Sequence, residues 1–274
     1  MQAFVHKSIL AAIEAGKKIL EVYAGDFSAD ISFKSDNSPV TIADYKANQV
    51  IESYLADTSF PILSEEGTHL AYEERKSWNA FWLIDPLDGT KEFIKKNDEF
   101  TVNIALVRDG KPVLGVVYVP VAGTLYYGAE GEGSFVFNVD AAFHPERLEE
   151  YLLHATQLPL AKEYDIYTIL LSLTHSCPET QAFVEERKNT YGEVKIESAG
   201  SSLKLCLVAE GKAQVYPRLG PTMEWDTAAG HAVAKYAGCM VYDFETKQEL
   251  VYNKENLLNP WFVVEQELPK FVTV

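Results

Sequence analysis

The chain has 274 residues, 47% hydrophobic and 23% charged, a composition that excludes disorder and supports a core of one or two domains. Its formal net charge of −16 opposes a polyanion, because nucleic-acid affinity comes mostly from Lys and Arg neutralising phosphates; polymeric nucleic acid is not an expected partner. A small phosphorylated ligand stays compatible if metal ions mask the local charge, and most of the acidity reads as solvated surface.

The first seven residues lack a basic start followed by an apolar run, and no apolar stretch approaches bilayer length, so a cytoplasmic protein is expected. Residues 4–23 repeat apolar groups at Val5, Ile9, Ala12, Ile13, Ile19, Leu20 and Tyr23, which predicts an amphipathic helix, and a second is predicted over 43–55. Between them, 31–34 reads as extended and 35–39 as a loop. Residues 61–64 and 80–84 are strand-like and run into acidic residues. Residues 101–107 and 113–119 flank Asp109-Gly110-Lys111-Pro112, a hairpin signal, and 125–127 with 134–137 form another around the glycines at 128–133. The first half therefore reads as two helices on a largely antiparallel sheet.

Beyond it, helix-like 146–154, 179–188, 201–210 and 226–236 alternate with strand-like 166–173, 194–197 and 213–216, an α/β pattern. The expected division is 1–140, an α+β half, and 141–274, an α/β half. Cys177, Cys206 and Cys239 are odd in number and widely spaced, so neither a disulfide framework nor a thiolate zinc site is expected. No two of the six histidines have the spacing of a helical two-His metal motif. A metal would be held by oxygen, which favours Mg²⁺ or Mn²⁺.

Three acidic segments stand out: Ser64-Glu65-Glu66-Gly67, Ile84-Asp85-Pro86-Leu87-Asp88-Gly89-Thr90 and Trp225-Asp226. Carboxylates at strand ends can share one crevice, and two Mg²⁺ ions about 3.5–4 Å apart need a bridging carboxylate and several others. Asp85 and Asp88 flank a Pro that favours a sharp turn, in which both could face one side with the Leu87 carbonyl as a further ligand. Gly89 lets the backbone approach closely, and a short helix predicted over 91–96 offers free N–H groups to a phosphate. Taken singly, Asp88-Gly89 is an ordinary turn and Asp226 an ordinary helix cap; their combination carries the weight. Haloacid-dehalogenase phosphatases carry D-x-D-G-T, with a nucleophilic Asp two residues before the second. Here the spacing is three, which fits metal ligation and direct attack by water.

These motifs, with Val40-Thr41-Ile42-Ala43-Asp44, Lys91-Glu92-Phe93-Ile94, Phe100-Thr101-Val102-Asn103, Gly200-Ser201-Ser202-Leu203-Lys204 and Trp225-Asp226-Thr227-Ala228-Ala229-Gly230-His231, resemble the inositol monophosphatase superfamily. Lys91–Ile94 and Ser201–Lys204 point to its bacterial 3′(2′),5′-bisphosphate nucleotidase branch. The likeness covers most of the chain except 138–170. It implies an αβαβα layered sandwich and Mg²⁺-dependent hydrolysis of the 3′-phosphate of adenosine 3′,5′-bisphosphate without a covalent intermediate, with 3′-phosphoadenylyl sulfate as a related substrate. Glu65, Asp85 and the Leu87 carbonyl would hold one metal, and Asp85, Asp88 and Asp226 a second, with two or three ions in all and Mn²⁺ as a substitute. Asp44, Glu65 and Thr90 would orient and deprotonate the attacking water. Gly89, His175, Ser201, Lys204 and Arg218 would complete the substrate contacts beside Glu65, Leu87, Asp88, Thr90 and Asp226. Inhibition by Li⁺ is a further implication. Some bacterial relatives are described as peripheral at the inner membrane, although no basic amphipathic helix here supports even weak contact.

Relatives often carry Arg two residues before the position of His175, where this chain has Leu173, which loosens the nucleotide assignment. An inositol- or sugar-phosphate phosphatase is the nearest alternative, and a non-catalytic binder of phosphometabolites or divalent ions the second. Thr90 and Asp44 argue against the binder, which needs no water-activating pair. Trp225 and His231 read as packing residues.

Overall fold

The computed structural model describes residues 1–25, 32–33, 39–68, 70–160, 164–172 and 177–267. In chain order these form α1 (Gln2–Tyr23), β1 (Ser32–Phe33), β2 (Pro39–Val40), α2 (Ile42–Leu55), β3 (Ile62–Ser64), α3 (Tyr72–Arg75), β4 (Ala80–Asp88), α4 (Thr90–Lys95), β5 (Thr101–Arg108), β6 (Lys111–Val119), β7 (Thr124–Ala129) and β8 (Gly133–Asn138). A 3₁₀ turn at Pro145–Arg147 leads to α5 (Leu148–Leu153), β9 (Thr156–Gln157), β10 (Tyr167–Ser172), α6 (Pro178–Tyr191), β11 (Val194–Ala199), α7 (Leu203–Glu210), β12 (Val215–Arg218), α8 (Glu224–Tyr236), β13 (Cys239–Asp243) and β14 (Phe262–Gln266).

Strands β3 to β9 make a seven-stranded sheet in sequence order, antiparallel except where β3 runs parallel to β4. A second sheet has the order β11-β10-β12-β14-β13. Five layers follow from which face each apolar side chain takes. Trp82, Ile84, Ile104, Leu106 and Val116 face Val5, Ile9 and Ile13 of α1 and Ala47 and Ile51 of α2. From the opposite face of the same strands, Phe81, Leu83, Ala105, Val107 and Val117 pack on Leu205 and Val208 of α7 and Ala228, Ala229 and Val233 of α8. Tyr216, Phe262 and Val264 of the second sheet close this middle layer from the other side. The outer face of that sheet, through Ile169, Val215 and Val263, takes Phe183 and Val184 of α6. A strand covered on both faces loses the alternation of a half-exposed one, which is why residues 81–84 and 104–107 read as unbroken apolar runs. The αβαβα sandwich expected from the resemblance is the observed fold.

The close fit of α8 rests on Gly115 of β6, where a Cβ would stand 2.2 Å from the Ala229 carbonyl oxygen. No helix among the described residues is long and apolar enough to cross a membrane. Strands β13 and β14, which complete the second sheet, were not expected from the sequence, and β4 runs on through Asp88 instead of ending at Ile84.

Candidate active site

The D-P-L-D segment is a bulged strand rather than a turn after one. Asp85 stands opposite Asn103 and Asp88 opposite Thr101, so three steps on β4 match two on β5. In a regular strand, residues three apart point to opposite faces; one extra residue brings both aspartates to the same face. The Leu87 N–H donates to Asp85 Oδ1 at 3.1 Å. Gly89, at φ 95°, then turns the chain into α4 in a left-handed conformation that costs glycine nothing.

Other elements bring carboxylates to this bulge. The Glu65 N–H donates to the Ile84 carbonyl at 3.1 Å, continuing the parallel β3–β4 pairing and placing Glu65 beside Asp85. Asp226 arrives on the first turn of α8, where its Oδ2 accepts the Met223 N–H at 2.8 Å. Oxygens of Glu65, Asp85 and Asp226 lie within 4.8 Å of one another. Burial and the neighbouring carboxylates push Asp85 and Asp226 well above the usual carboxylate range, and burial pushes Asp88 up to about 6. Convergent carboxylate oxygens that repel one another fit a hard divalent cation, which neutralises them and accepts such donors.

Beside the cluster, Asp44 Oδ2 accepts the Thr41 N–H at 2.8 Å and the Thr41 hydroxyl at 2.7 Å, capping α2. Its Oδ1 accepts the Thr90 hydroxyl at 3.1 Å, and burial raises its pKa to about 6. The Leu87 carbonyl lies 3.4 Å from the same hydroxyl.

A cleft beside the cluster is lined by Asp88, Gly89 and Asp226 together with Ser201, Lys204 and Arg218. Lys204 Nζ donates to the Ala199 carbonyl at 2.9 Å and the Ser201 carbonyl at 2.7 Å, so two of its three protons brace the loop. Burial lowers its pKa to about 8 against the opposing pull of Asp88. Arg218 donates through Nη1 to Ser172 Oγ at 2.7 Å and through Nη2 to the Pro221 carbonyl at 2.9 Å. Thus Asp44, Glu65, Asp85, Leu87, Asp88, Gly89, Thr90 and Asp226 converge, with Ser201, Lys204 and Arg218 lining the cleft beside them. His175 and Leu173 lie outside the described residues. Trp225 is buried in the middle layer, and His231 is buried with Nδ1 2.9 Å from the Tyr252 hydroxyl. Thr101, Asn103 and Ser202, to which sequence reasoning gave no role, surround Asp88: the Ser202 N–H donates to Asp88 Oδ2 at 2.6 Å. Their signal was two polar residues, two apart, inside an apolar strand.

Residues 2–268 match the model of the inositol monophosphatase family. The chain belongs to that family. Inositol monophosphatase relatives of high similarity include the protein named 3′(2′),5′-bisphosphate nucleotidase CysQ in Shigella flexneri, 45% identical over 257 residues, 92% of this chain and 96% of that protein. The protein of the same name in Escherichia coli strain K12 is 44% identical over 255 residues, with the same coverage. The crystal structure of CysQ from Bacteroides thetaiotaomicron, described as a bacterial member of the inositol monophosphatase family, superposes with a TM-score of 0.87 at 47% identity, covering 98% of this chain and 99% of that one. The suhB protein of Bartonella henselae shares the family fold at a TM-score of 0.72 and 25% identity, covering 97% of this chain and 94% of that one.

Proposed function

We propose that this chain hydrolyses the 3′-phosphate of adenosine 3′,5′-bisphosphate to AMP and inorganic phosphate in the cytoplasm, and accepts 3′-phosphoadenylyl sulfate as a related substrate. The observation that carries the reading is one cleft lined both by Asp88 and Asp226, beside the carboxylate cluster, and by the cations Lys204 and Arg218, suited to a substrate with two anionic groups. The near full-length likeness to proteins named for bisphosphate nucleotide hydrolysis supports it.

Glu65, Asp85 and the Leu87 carbonyl would hold one Mg²⁺, and Asp85, Asp88 and Asp226 a second, with a third ion or Mn²⁺ compatible with the same oxygens. Bound divalent cations supply charge neutralisation at the phosphoryl oxygens and a lowered pKa for water. Thr90 donates its proton to Asp44, which leaves its oxygen lone pairs to accept one from the attacking water. Asp44, poised at about 6, is ionised at neutral pH and can receive that proton through Thr90, while its bonds to Thr41 keep it aimed. Glu65 borders the same space. Lys204 and Arg218 take the 5′-phosphate with Ser201 beside them, and Gly89 lets the 3′-phosphate approach the backbone next to Asp88 and Thr90. In this reading the halves 1–140 and 141–274 divide the labour: the first carries Asp44, Glu65, Asp85, Asp88 and Thr90, the second Asp226 and the contacts to the nucleotide.

Phosphate release with Mg²⁺ from adenosine 3′,5′-bisphosphate, inositol 1-phosphate and fructose 1,6-bisphosphate, compared by kcat/KM, tests this. The bisphosphate nucleotide is expected to lead; a preference for either of the others overturns the substrate. Turnover of none of them, with ligands still bound, would make the protein a binder.

A further inference from the structure

Asp88 has one oxygen committed to two protein donors that come from different parts of the chain. Oδ2 accepts the Ser202 N–H at 2.6 Å and Asn103 Nδ2 at 3.4 Å. The Ser202 hydroxyl donates to Asn103 Oδ1 at 2.7 Å. That donation uses its single proton, so the 2.8 Å contact between Thr101 Oγ1 and Ser202 Oγ is a donation from Thr101. Thr101 and Asn103 are fully buried and Ser202 is 2% exposed. A polar chain this deep is costly unless every member is satisfied. Ser201, at φ 45°, holds a left-handed conformation that is unfavourable for a non-glycine residue, and it is this bend that delivers the Ser202 N–H to Asp88. Lys204 braces the same loop from within.

We propose that Asn103 is a positioning residue: its amide ties the Ser202 loop to Asp88 and assigns the two Asp88 oxygens, Oδ2 to the protein and Oδ1 to the cation position. The loop that lines the substrate cleft and the carboxylate at the metal cluster are thereby held as one unit, across the boundary between β5 and the turn before α7. The inference rests on the reading of Asp88 as a metal ligand. Partners that orient a ligating carboxylate typically carry ten- to hundredfold in metal affinity. Without the amide, the Asp88 carboxylate is free to rotate and the Ser202 hydroxyl loses its acceptor.

The test is Mn²⁺ affinity of the full chain by calorimetry without substrate, for the parent, Asn103→Leu, Thr101→Val and Thr101→Ser, together with kcat and KM as Mg²⁺ is raised. Asn103→Leu is expected to weaken Mn²⁺ about ten- to hundredfold, and its kcat should climb back toward the parent value at high Mg²⁺. Thr101→Val should show a smaller loss in the same direction, and Thr101→Ser should match the parent. Asn103→Leu binding Mn²⁺ within about twofold of the parent, or a kcat loss that high Mg²⁺ does not recover, overturns the role. If Asn103→Leu does not fold, the Thr101 pair decides, and equal Mn²⁺ affinity in Val and Ser variants overturns it. A parent that binds no Mn²⁺ overturns the metal reading and this inference with it, whereas a binding parent with an unaffected Asn103→Leu overturns this inference alone.

Discussion

Replacing Gly115 by Ala should disable the site from the far side of α8. The new Cβ would stand 2.2 Å from the Ala229 carbonyl oxygen and 2.8 Å from Ala232 Cβ, where ordinary contact begins at 3.4 Å. β6 is hydrogen-bonded on both sides, to β5 and β7, and α1 packs on its other face, so the helix is the part that yields. Relief requires a displacement of about 1 Å, because backbone in mid-helix cannot be turned aside as a side-chain tip can. Ala229 lies one turn beyond Asp226, and the displacement carries that carboxylate away from Glu65 and Asp85. Overpacking of this kind costs about 1–3 kcal/mol, and a misplacement of about 1 Å at a reacting site costs about 100-fold in rate. Urea unfolding and kcat/KM for phosphate release measure the two effects on the same sample. The double variant Gly115→Ala, Ala232→Gly removes the 2.8 Å contact but not the 2.2 Å one, so it should recover little. An active, fully stable Gly115→Ala, or recovery in the double variant, would refute the backbone-contact reasoning.

Thr90→Ala should lower kcat by about 10²–10⁴, the range for positioned proton transfer, with Thr90→Ser close to the parent and Asp44→Asn as impaired as Thr90→Ala. Steady-state rates at saturating Mg²⁺ decide this, and a Thr90→Ala enzyme nearly as fast as the parent would remove Thr90 from the chemistry. Without divalent cations, Asp44 has a folded pKa of about 6 against an ordinary 3.8, so its stabilising effect is whole below 3.8 and is lost as pH rises through about 6. That loss is about 3 kcal/mol for Asp44, and Asp85, Asp88 and Asp226, also raised, act in the same direction. The melting temperature gained from Mg²⁺ over EDTA should therefore be larger at pH 8 than at pH 5; an equal or smaller gain contradicts the cluster's part in it. Arg75, 2% exposed, donates through Nη1 to Asn253 Oδ1 at 2.8 Å and the Lys254 carbonyl at 2.6 Å, and through Nη2 to the Glu255 carbonyl at 2.8 Å. Arg75→Met leaves those acceptors unpaired and should cost about 3 kcal/mol in urea unfolding, and a cost below about 1 kcal/mol would mean the loop finds other partners.

Elements stabilised by neighbours in sequence were the legible ones. The apolar repeat of α1 and the Asp109-Gly110 turn carry their instructions locally; at φ 50° and 73° that turn takes the left-handed pair a two-residue hairpin needs. Strand β14 does not. Its ladder partners are Val215–Arg218, far back in the chain, and Cys239–Asp243, across a connection without regular structure. Nothing near residue 262 announces either pairing. The bulge in β4 was hidden for the same reason: a bulge is a mismatch between two strands, and one strand alone shows only an odd spacing of aspartates. The Pro between them suggested a turn, and the register with β5 made it a strand.

The site divides along the same line. The carboxylates proposed to hold metal, Glu65, Asp85, Asp88 and Asp226, are legible because their chemistry is theirs alone, and Gly89 and Thr90 are legible by adjacency to them. Asn103 and Thr101 are conspicuous only once both faces of β5 are known to be covered, since a polar pair in a half-exposed strand needs no explanation whereas a buried one needs partners. Those partners are Asp88 on the neighbouring strand and Ser202, about a hundred residues on. Lys204 shifts in meaning too: the family likeness makes it, with Arg218, a phosphate contact, and in the fold it first holds the loop that presents Ser202. If Lys204 contacts the nucleotide and Asp88 a metal, as proposed, one loop ties the two together, and a change at Lys204 should disturb Asp88 as well as the nucleotide.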